Sequence, residues 1–175
     1  MQLVTPSMKY KNSFLDALKE YQQEKTDDRQ DIFILNPTLL KDSFQVYVDK
    51  LADEAKGKDL PKGYVPATTY WLVEGDTFIG RVNIRHSLTK GLLLIGGHIG
   101  YDIRPSERRK GYGTKMLNLA LPQAKALGIT KVLATCDETN IGSKKIIEAN
   151  GGVLENSTSQ GKGKPRKLRY WITVK

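Results

Sequence analysis

At 175 residues, with 39% hydrophobic and 27% charged residues, the chain is long enough for a sizeable core and short for two independent units, a composition that excludes disorder. No apolar stretch approaches the roughly 20 residues of a spanning helix or forms a leader at the N-terminus, so a single cytoplasmic domain over residues 1–175, away from membranes, is expected. The formal charge of +9 points to an anionic partner, and the one cysteine, Cys136, excludes an intrachain disulfide or a cysteine-based metal cluster.

Gln2–Val4 reads as a short strand. Residues 7–24 follow at helical spacing, with Met8, Phe14, Leu15, Leu18 and Tyr21 on one face and Ser7 as cap. The polar run Lys25–Asp31 reads as a loop. A second helix is expected over residues 39–55, where Leu40, Phe44, Tyr47, Val48, Leu51 and Ala55 recur on one side, and Gly57–Pro66 reads as a connector. From Thr68 the period changes. Thr69–Val73, Phe78–Arg85 and Leu92–Ile103 are β-rich and separated by the turn sequences Glu74-Gly75-Asp76 and Thr89-Lys90-Gly91, which predicts a three-stranded antiparallel meander.

Residues 113–127 return to helical spacing through Met116, Leu117, Ala120, Ala124 and Leu127, with Pro122 expected to kink the helix or remove the bond to Asn118. Lys131–Thr135 reads as a short strand. A helix over Ile141–Glu148 stops at Asn150-Gly151-Gly152. Val153–Asn156 and Arg169–Val174 are the last strands, around a Gly/Lys/Ser loop. The predicted order is β-α-α-β-β-β-α-β-α-β-β, without internal repeats.

The chemistry concentrates where the third meander strand ends. Ile103-Arg104-Pro105 runs into Arg108-x-x-Gly111-x-Gly113, and a helix starts immediately after. Unsatisfied amides at a helix N-terminus, glycines that admit an anion to the backbone, and Arg104, Arg108, Arg109, Lys110 and Lys115 around them make a phosphate site in outline. The spacing lacks the lysine and hydroxyl of a P-loop, and Met116 stands where a dinucleotide fingerprint needs its third glycine. A second basic cluster, Lys162, Lys164, Arg166, Lys167 and Arg169, reads as a solvated face.

The run Gly100-Tyr-Asp-Ile-Arg-Pro-Ser-Glu-Arg-Arg-Lys-Gly-Tyr-Gly-Thr114 resembles motif A of the GNAT N-acetyltransferase superfamily, Arg/Gln-x-x-Gly-x-Gly/Ala. The block from Cys136-Asp-Glu-Thr-Asn140-Ile-Gly-Ser143 to Asn150-Gly151-Gly152 resembles its motif B, and the element order matches throughout. The resemblance implies an α/β (α+β) fold with a mixed, mostly antiparallel central sheet flanked by helices. It also implies acetyl-CoA as cosubstrate, its pantetheine arm lying where the fourth and fifth strands part at a bulge. Carried over, Tyr101, Asp102 and Ile103 would pair with that arm through their backbone, and an amide there would polarise the acetyl carbonyl. Arg108, Arg109, Lys110, Gly111, Tyr112, Gly113 and Thr114 would hold the pyrophosphate, and Asn140 and Ser143 would touch the pantetheine or the adenosine end. Asn140 is equally a good helix cap, and Ser143 an ordinary first-turn residue.

The sequence departs from the superfamily at both usual catalytic side chains. The position of the tyrosine acid is Ile147, and that of the glutamate base is Thr135. Direct attack by an amine on the thioester then relies on positioning and an oxyanion donor. His98, on the strand that leads into the bulge, is the leading base and reads equally as a histidine hydrogen-bonded within the sheet, with Asp137 and Glu138 as water-mediated alternatives, and Tyr101 or Tyr112 is the expected replacement for the acid. Cys136 reads as core or wall rather than nucleophile.

The implied acceptor groove lies between Lys25–Asp31, with Asp27, Asp28 and Asp31, and the basic hairpin 156–167. An acidic rim favours a cationic amine, and the hairpin favours an acceptor that also carries an anionic group. The expected partner is therefore a small-molecule amine, bound by a monomer or homodimer. Two alternatives stand beside this reading: an acyl-CoA-binding protein of the same fold without turnover, and a basic nucleic-acid-binding domain, against which the lack of any recognition motif beyond charge argues.

Overall fold

The computed structural model describes residues 1–24, 40–41 and 43–174. Seven strands form one sheet: β1 (Gln2–Val4), β2 (Ala67–Glu74), β3 (Thr77–Arg85), β4 (Ile99–Ile103), β5 (Lys131–Asp137), β6 (Val153–Thr158) and β7 (Lys167–Thr173). Their spatial order is β1-β2-β3-β4-β5-β7-β6, and among the described residues only β4 and β5 run parallel. Helices among the described residues flank them: α1 (Lys11–Gln23), α2 (Phe44–Ala55), α3 (Tyr112–Ala126) and α4 (Ile141–Ala149). The expected element order is the observed one.

Alternation along the strands sends side chains to two separate cores. Leu72, Val82, Ile84, Ile99 and Ile103 face α3 and α4, where they pack with Met116, Leu117, Ala120, Ala124 and Ile147. Trp71, Val73 and Phe78 face α1 and α2 and meet Phe14, Leu18, Tyr21 and Phe44. Phe14 stacks on Trp71 with centroids 4.8 Å apart and planes inclined by 18°. The sheet is thus covered on both faces, with α3 as the crossover that a parallel β4–β5 pair requires.

Pro122 stands inside an uninterrupted α3, which runs on to Ala126, so of its two expected effects it has the loss of the amide bond to Asn118. Three expectations are corrected. Ser7 caps nothing through its side chain: a 3₁₀ turn at Met8–Tyr10 intervenes, the helix starts at Lys11, and Met8 lies exposed. The strands of the last hairpin are longer or earlier than expected, Val153–Thr158 and Lys167–Thr173. Most consequentially, Leu92–Gly96 is a turn of π-helix, and β4 begins only at Ile99. The apolar residues Leu92–Ile95 carry a β-like composition, but their carbonyls are taken by side chains from three strands. Arg85 donates to Gly96 and Gly97, Thr135 to Ile95, and Arg169 to Leu93. Leu93, Leu94 and Ile95 are left exposed. The segment expected as the loop Lys25–Asp31, and residues 39 and 42 at the start of the expected second helix, lie outside the described residues.

Candidate active site

The parallel pairing of β4 with β5 is confined to Ile99 opposite Ala134. Beyond that point the strands diverge, and a cleft of about 870 Å³ opens between them and runs to the N-terminal ends of α3 and α4. In the antiparallel β3–β4 ladder, alternate residues of β4 turn their backbone groups to β3, a set marked by the His98 carbonyl bonded to the Arg85 amide and the Arg104 amide bonded to the Ile79 carbonyl. The backbone groups of Tyr101 therefore face the cleft, as do those of Ile103, whose carbonyl accepts from Arg108 Nε at 3.0 Å.

At the far end of β4 the chain makes a 3₁₀ turn, Pro105–Glu107, and enters α3 through Arg109 at φ +62° and Gly111 at φ +81°. A non-glycine residue in the left-handed region is strained, and changes of hand in a short loop turn backbone amides to one concave side. No side chain caps α3. Its first intrahelical bond is Lys115 N–H to the Gly111 carbonyl, so the amides of Tyr112, Gly113 and Thr114 point out of the helix N-terminus. Gly113 also lets α3 approach α4, since a Cβ there would stand 2.5 Å from Ile146 Cδ1.

The basic residues of this loop are largely paired within the chain. Arg104 is bound by Glu20 of α1 at 2.6 Å, Arg108 by Glu24, and Lys110 by Glu107 at 2.9 Å. Arg109 and Lys115 have no ion pair among the described residues. Arg108 nevertheless keeps a buried Nη2 without a hydrogen-bond partner among the described residues. An uncapped helix N-terminus and an unpartnered guanidinium nitrogen beside the same cleft suit a phosphate-bearing ligand.

A family model described as the acetyltransferase (GNAT) domain matches residues 22–153. The chain belongs to the GNAT acetyltransferase family. The uncharacterized N-acetyltransferase YjdG of Bacillus subtilis (strain 168) is 28% identical over 114 residues, 63% of this chain. That match spans 56% of the relative's own length. Among solved structures, the microcin C7 self-immunity acetyltransferase MccE, in complex with acetyl-CoA and AMP, is similar with a TM-score of 0.71 at 16% identity, covering 98% of this chain and 91% of that one. RimL, a ribosomal L7/L12 alpha-N-protein acetyltransferase in complex with coenzyme A, reaches 0.71 at 13% identity, with 98% and 93% covered. Mycobacterium smegmatis RimJ, in complex with CoA-disulfide, reaches 0.69 at 17%, with 98% and 81% covered. At these identities the likeness establishes the GNAT fold.

Within this GNAT chain, Tyr101, Asp102, Ile103, Arg108, Arg109, Gly111, Tyr112, Gly113, Thr114, Asn140 and Ser143 all line the cleft. Lys110 does not, because its ammonium turns to Glu107. The Asn140 side chain caps α4, with Oδ1 accepting the Ser143 amide at 3.0 Å. Tyr101 reaches across the cleft and donates to the Ser143 carbonyl at 3.5 Å, and burial pushes its phenol up to about 12. Ile147, at the usual acid's position, is core, and Thr135, at the usual base's, is engaged by the Ile95 carbonyl.

His98 does not fit the role of base. It is buried beside the vertex of the cleft without lining it, and its Nδ1 accepts the Leu133 amide at 2.9 Å. A backbone amide can only donate, so in the neutral ring the remaining proton sits on Nε2 and no lone pair is left for an incoming amine. Burial, and then the charge of Arg85, hold this imidazole below its usual value of 6.5. Asp137 and Glu138 are likewise engaged: Asp137 accepts from Lys167 at 2.6 Å and Gln160 at 2.7 Å, and Glu138 accepts the Arg166 amide at 2.9 Å, closing the last hairpin. Cys136 is core rather than wall, its thiol pushed up to about 11 by burial.

Sequence reading missed Arg81, Arg85, Gly142, Lys145 and Ile146, all cleft-lining, and Asn150, whose Nδ2 donates to the Thr114 carbonyl at 3.2 Å and so ties the two helix ends together. The alternation of β3 signalled the two arginines, because Arg81 and Arg85 are in phase with Asn83 on the face opposite Val82 and Ile84.

Proposed function

We propose that this chain is a cytoplasmic N-acetyltransferase that moves the acetyl group of acetyl-CoA to the primary amine of a small, amino-acid-like molecule. The observation that carries the reading is the wedge between β4 and β5, which opens after one pair and ends at the uncapped N-terminus of α3. Acetyl-CoA supplies the activated thioester. The pyrophosphate would rest on the amides of Gly111–Thr114, with Arg109 and Arg108 Nη2 as countercharge, and the pantetheine arm would pair with the cleft-facing backbone of Tyr101.

The amine nitrogen adds to the thioester carbonyl, the carbon–sulfur bond breaks, the sulfur leaves as thiolate and takes a proton, and the ammonium proton departs to solvent. Holding both reactants in one wedge removes most of the entropic barrier. Tyr101, kept protonated by burial, would donate to the departing sulfur. On the acceptor face the cleft is lined by Arg81, Arg85 and Lys167 against Asp102. This charge pattern favours an acceptor that carries an anionic group beside its amine.

A second reading, the N-terminal amine of a protein, is favoured by the exposed Leu93, Leu94 and Ile95, of which Ile95 borders the cleft, and by similarity to structures named as ribosomal-protein acetyltransferases. Thiol release from acetyl-CoA is to be measured with amino acids, polyamines, aminoglycosides and peptides. Turnover with amino-acid-like amines supports the first reading, and turnover with peptides alone selects the second. CoA binding without release above hydrolysis leaves a binding protein.

A further inference from the structure

The vertex of the cleft is built by an exchange of roles between backbone and side chain. The His98 amide donates to the Leu133 carbonyl on β5 at 2.7 Å, whereas the His98 carbonyl accepts from the Arg85 amide on β3 at 2.8 Å. In a regular strand both groups of one residue point to the same neighbour. The chain therefore swivels at His98, and Gly97 at φ +66° supplies the swivel. Gly97 also passes so close to β5 that a Cβ would stand 2.5 Å from the Leu133 carbonyl oxygen.

The swivel leaves the Leu133 amide without a carbonyl from β4. The two-residue repeat of a parallel ladder would bring the Gly96 carbonyl to it, but that oxygen accepts from Arg85 Nη1 at 3.2 Å. The imidazole Nδ1 of His98 takes the amide proton instead, at 2.9 Å. One pair later, at Ile99 and Ala134, the strands separate.

We infer that His98 is a positioning residue whose ring stands in for a backbone carbonyl at the point where β4 and β5 part, and so fixes the opening of the channel that receives the pantetheine arm. The inference rests on the reading of the cleft as a CoA site. His98 is not among the residues that line the cleft, and its ring packs edge-on to Trp171 at 6.4 Å. Its effect passes through the Leu133 amide. Without an acceptor that buried donor is satisfied only if β4 shifts toward β5, which narrows the wedge.

The test compares His98→Asn, whose Oδ1 falls where Nδ1 was, with His98→Gln, whose oxygen falls beyond it, and with His98→Phe, which has no acceptor. Three readouts are taken: the imidazole tautomer by nitrogen NMR of the wild type, exchange of the Leu133 amide, and CoA affinity by calorimetry. Expected are the Nε2–H tautomer, a protected Leu133 amide in the wild type and the Asn variant only, and a CoA Kd raised about 10-fold in the Phe and Gln variants but close to wild type in the Asn variant. An Nδ1–H tautomer, a folded Phe variant that binds CoA as the wild type does, or an Asn variant no better than Gln overturns the inference. If the Phe variant does not fold, the tautomer and the Asn-to-Gln contrast decide. A wild type that does not bind CoA overturns the CoA reading and the channel role with it, while the tautomer and the exchange rate still report on the bond to Leu133.

Discussion

The guanidinium of Arg108, on the loop that leads into α3, is held by the carboxylate of Glu24, the residue after α1, while its Nε donates to the Ile103 carbonyl. One turn earlier, Glu20 grips the same segment more fully: Oε1 accepts from Arg104 Nε at 2.7 Å and Oε2 accepts the Ser106 amide at 3.0 Å. The helix on the acceptor face thus anchors the loop that would take the pyrophosphate. Glu20→Ala is expected to lose two charge-assisted bonds, to destabilise the fold by about 2 kcal/mol and to raise the Kd for CoA by roughly 10-fold.

The pH dependence of that anchor has a defined sign. Burial works to raise the Glu20 carboxyl, but the hydrogen bonds from Arg104 and Ser106 outweigh it and hold it below its usual 4.5. A lowered carboxyl binds fewer protons folded than unfolded, so its stabilisation is present above pH 4.5 and is lost as the pH falls below that value. Thermal melts of the wild type should fall more steeply below this pH than those of Glu20→Gln. Equal slopes would remove Glu20 from the account.

The two glycines of the loop serve different needs, which substitution separates. Gly111 has open space around it but sits at φ +81°, so Gly111→Asn should be tolerated far better than Gly111→Val. Gly113 has no such backbone demand and is fixed by contact with Ile146 Cδ1. Gly113→Ala should cost about 2 kcal/mol through overpacking, and Ile146→Val, which deletes that methyl, should restore most of it. Denaturant unfolding of the single and double variants measures the coupling, and additive costs would refute the contact.

Element order, the meander and the glycine-containing loop that leads into α3 were legible because each is written in local terms: period two, period 3.6, glycine and charge. The vertex was not. Its bonds join Arg85, Leu92–Gly97, Leu133, Thr135 and Arg169 across separations of up to 76 residues, and no spacing rule announces that a histidine will replace a carbonyl. The same non-locality misassigned Leu92–Ile95, whose β-like side chains were overridden by donors from β3, β5 and β7. Composition showed the loop's charge without its pairing, so Arg104, Arg108 and Lys110 seemed available where Glu20, Glu24 and Glu107 already hold them.

Cys136 is the last residue but one of β5, and its burial has a chemical consequence. Desolvation pushes the thiol up to about 11, so near neutral pH almost none is thiolate, the form that attacks thioesters and disulfides. Cys136→Ala should retain turnover within about threefold, and labelling of the native wild type by a disulfide reagent should be slow until the fold is opened by denaturant. Fast stoichiometric labelling of the folded protein would contradict the burial.

Tyr101 separates positioning from proton donation, because only its hydroxyl differs from phenylalanine. With the phenol at about 12, the group is a donor across the working range and titrates too high to limit the rate. Its present acceptor is the Ser143 carbonyl in the first turn of α4, at the long distance of 3.5 Å. That weak bond can be exchanged for one to a developing thiolate at little cost. Tyr101→Phe should therefore lower kcat by roughly 10²-fold with the KM for acetyl-CoA nearly unchanged, since in the proposed complex the arm would pair with backbone rather than with the ring. A leaving thiol of lower pKa, in an acetyl-CoA analogue, should recover part of the loss, because it needs less protonation. A variant that instead raises KM at constant kcat would make Tyr101 a wall of the channel and leave protonation of the sulfur to water.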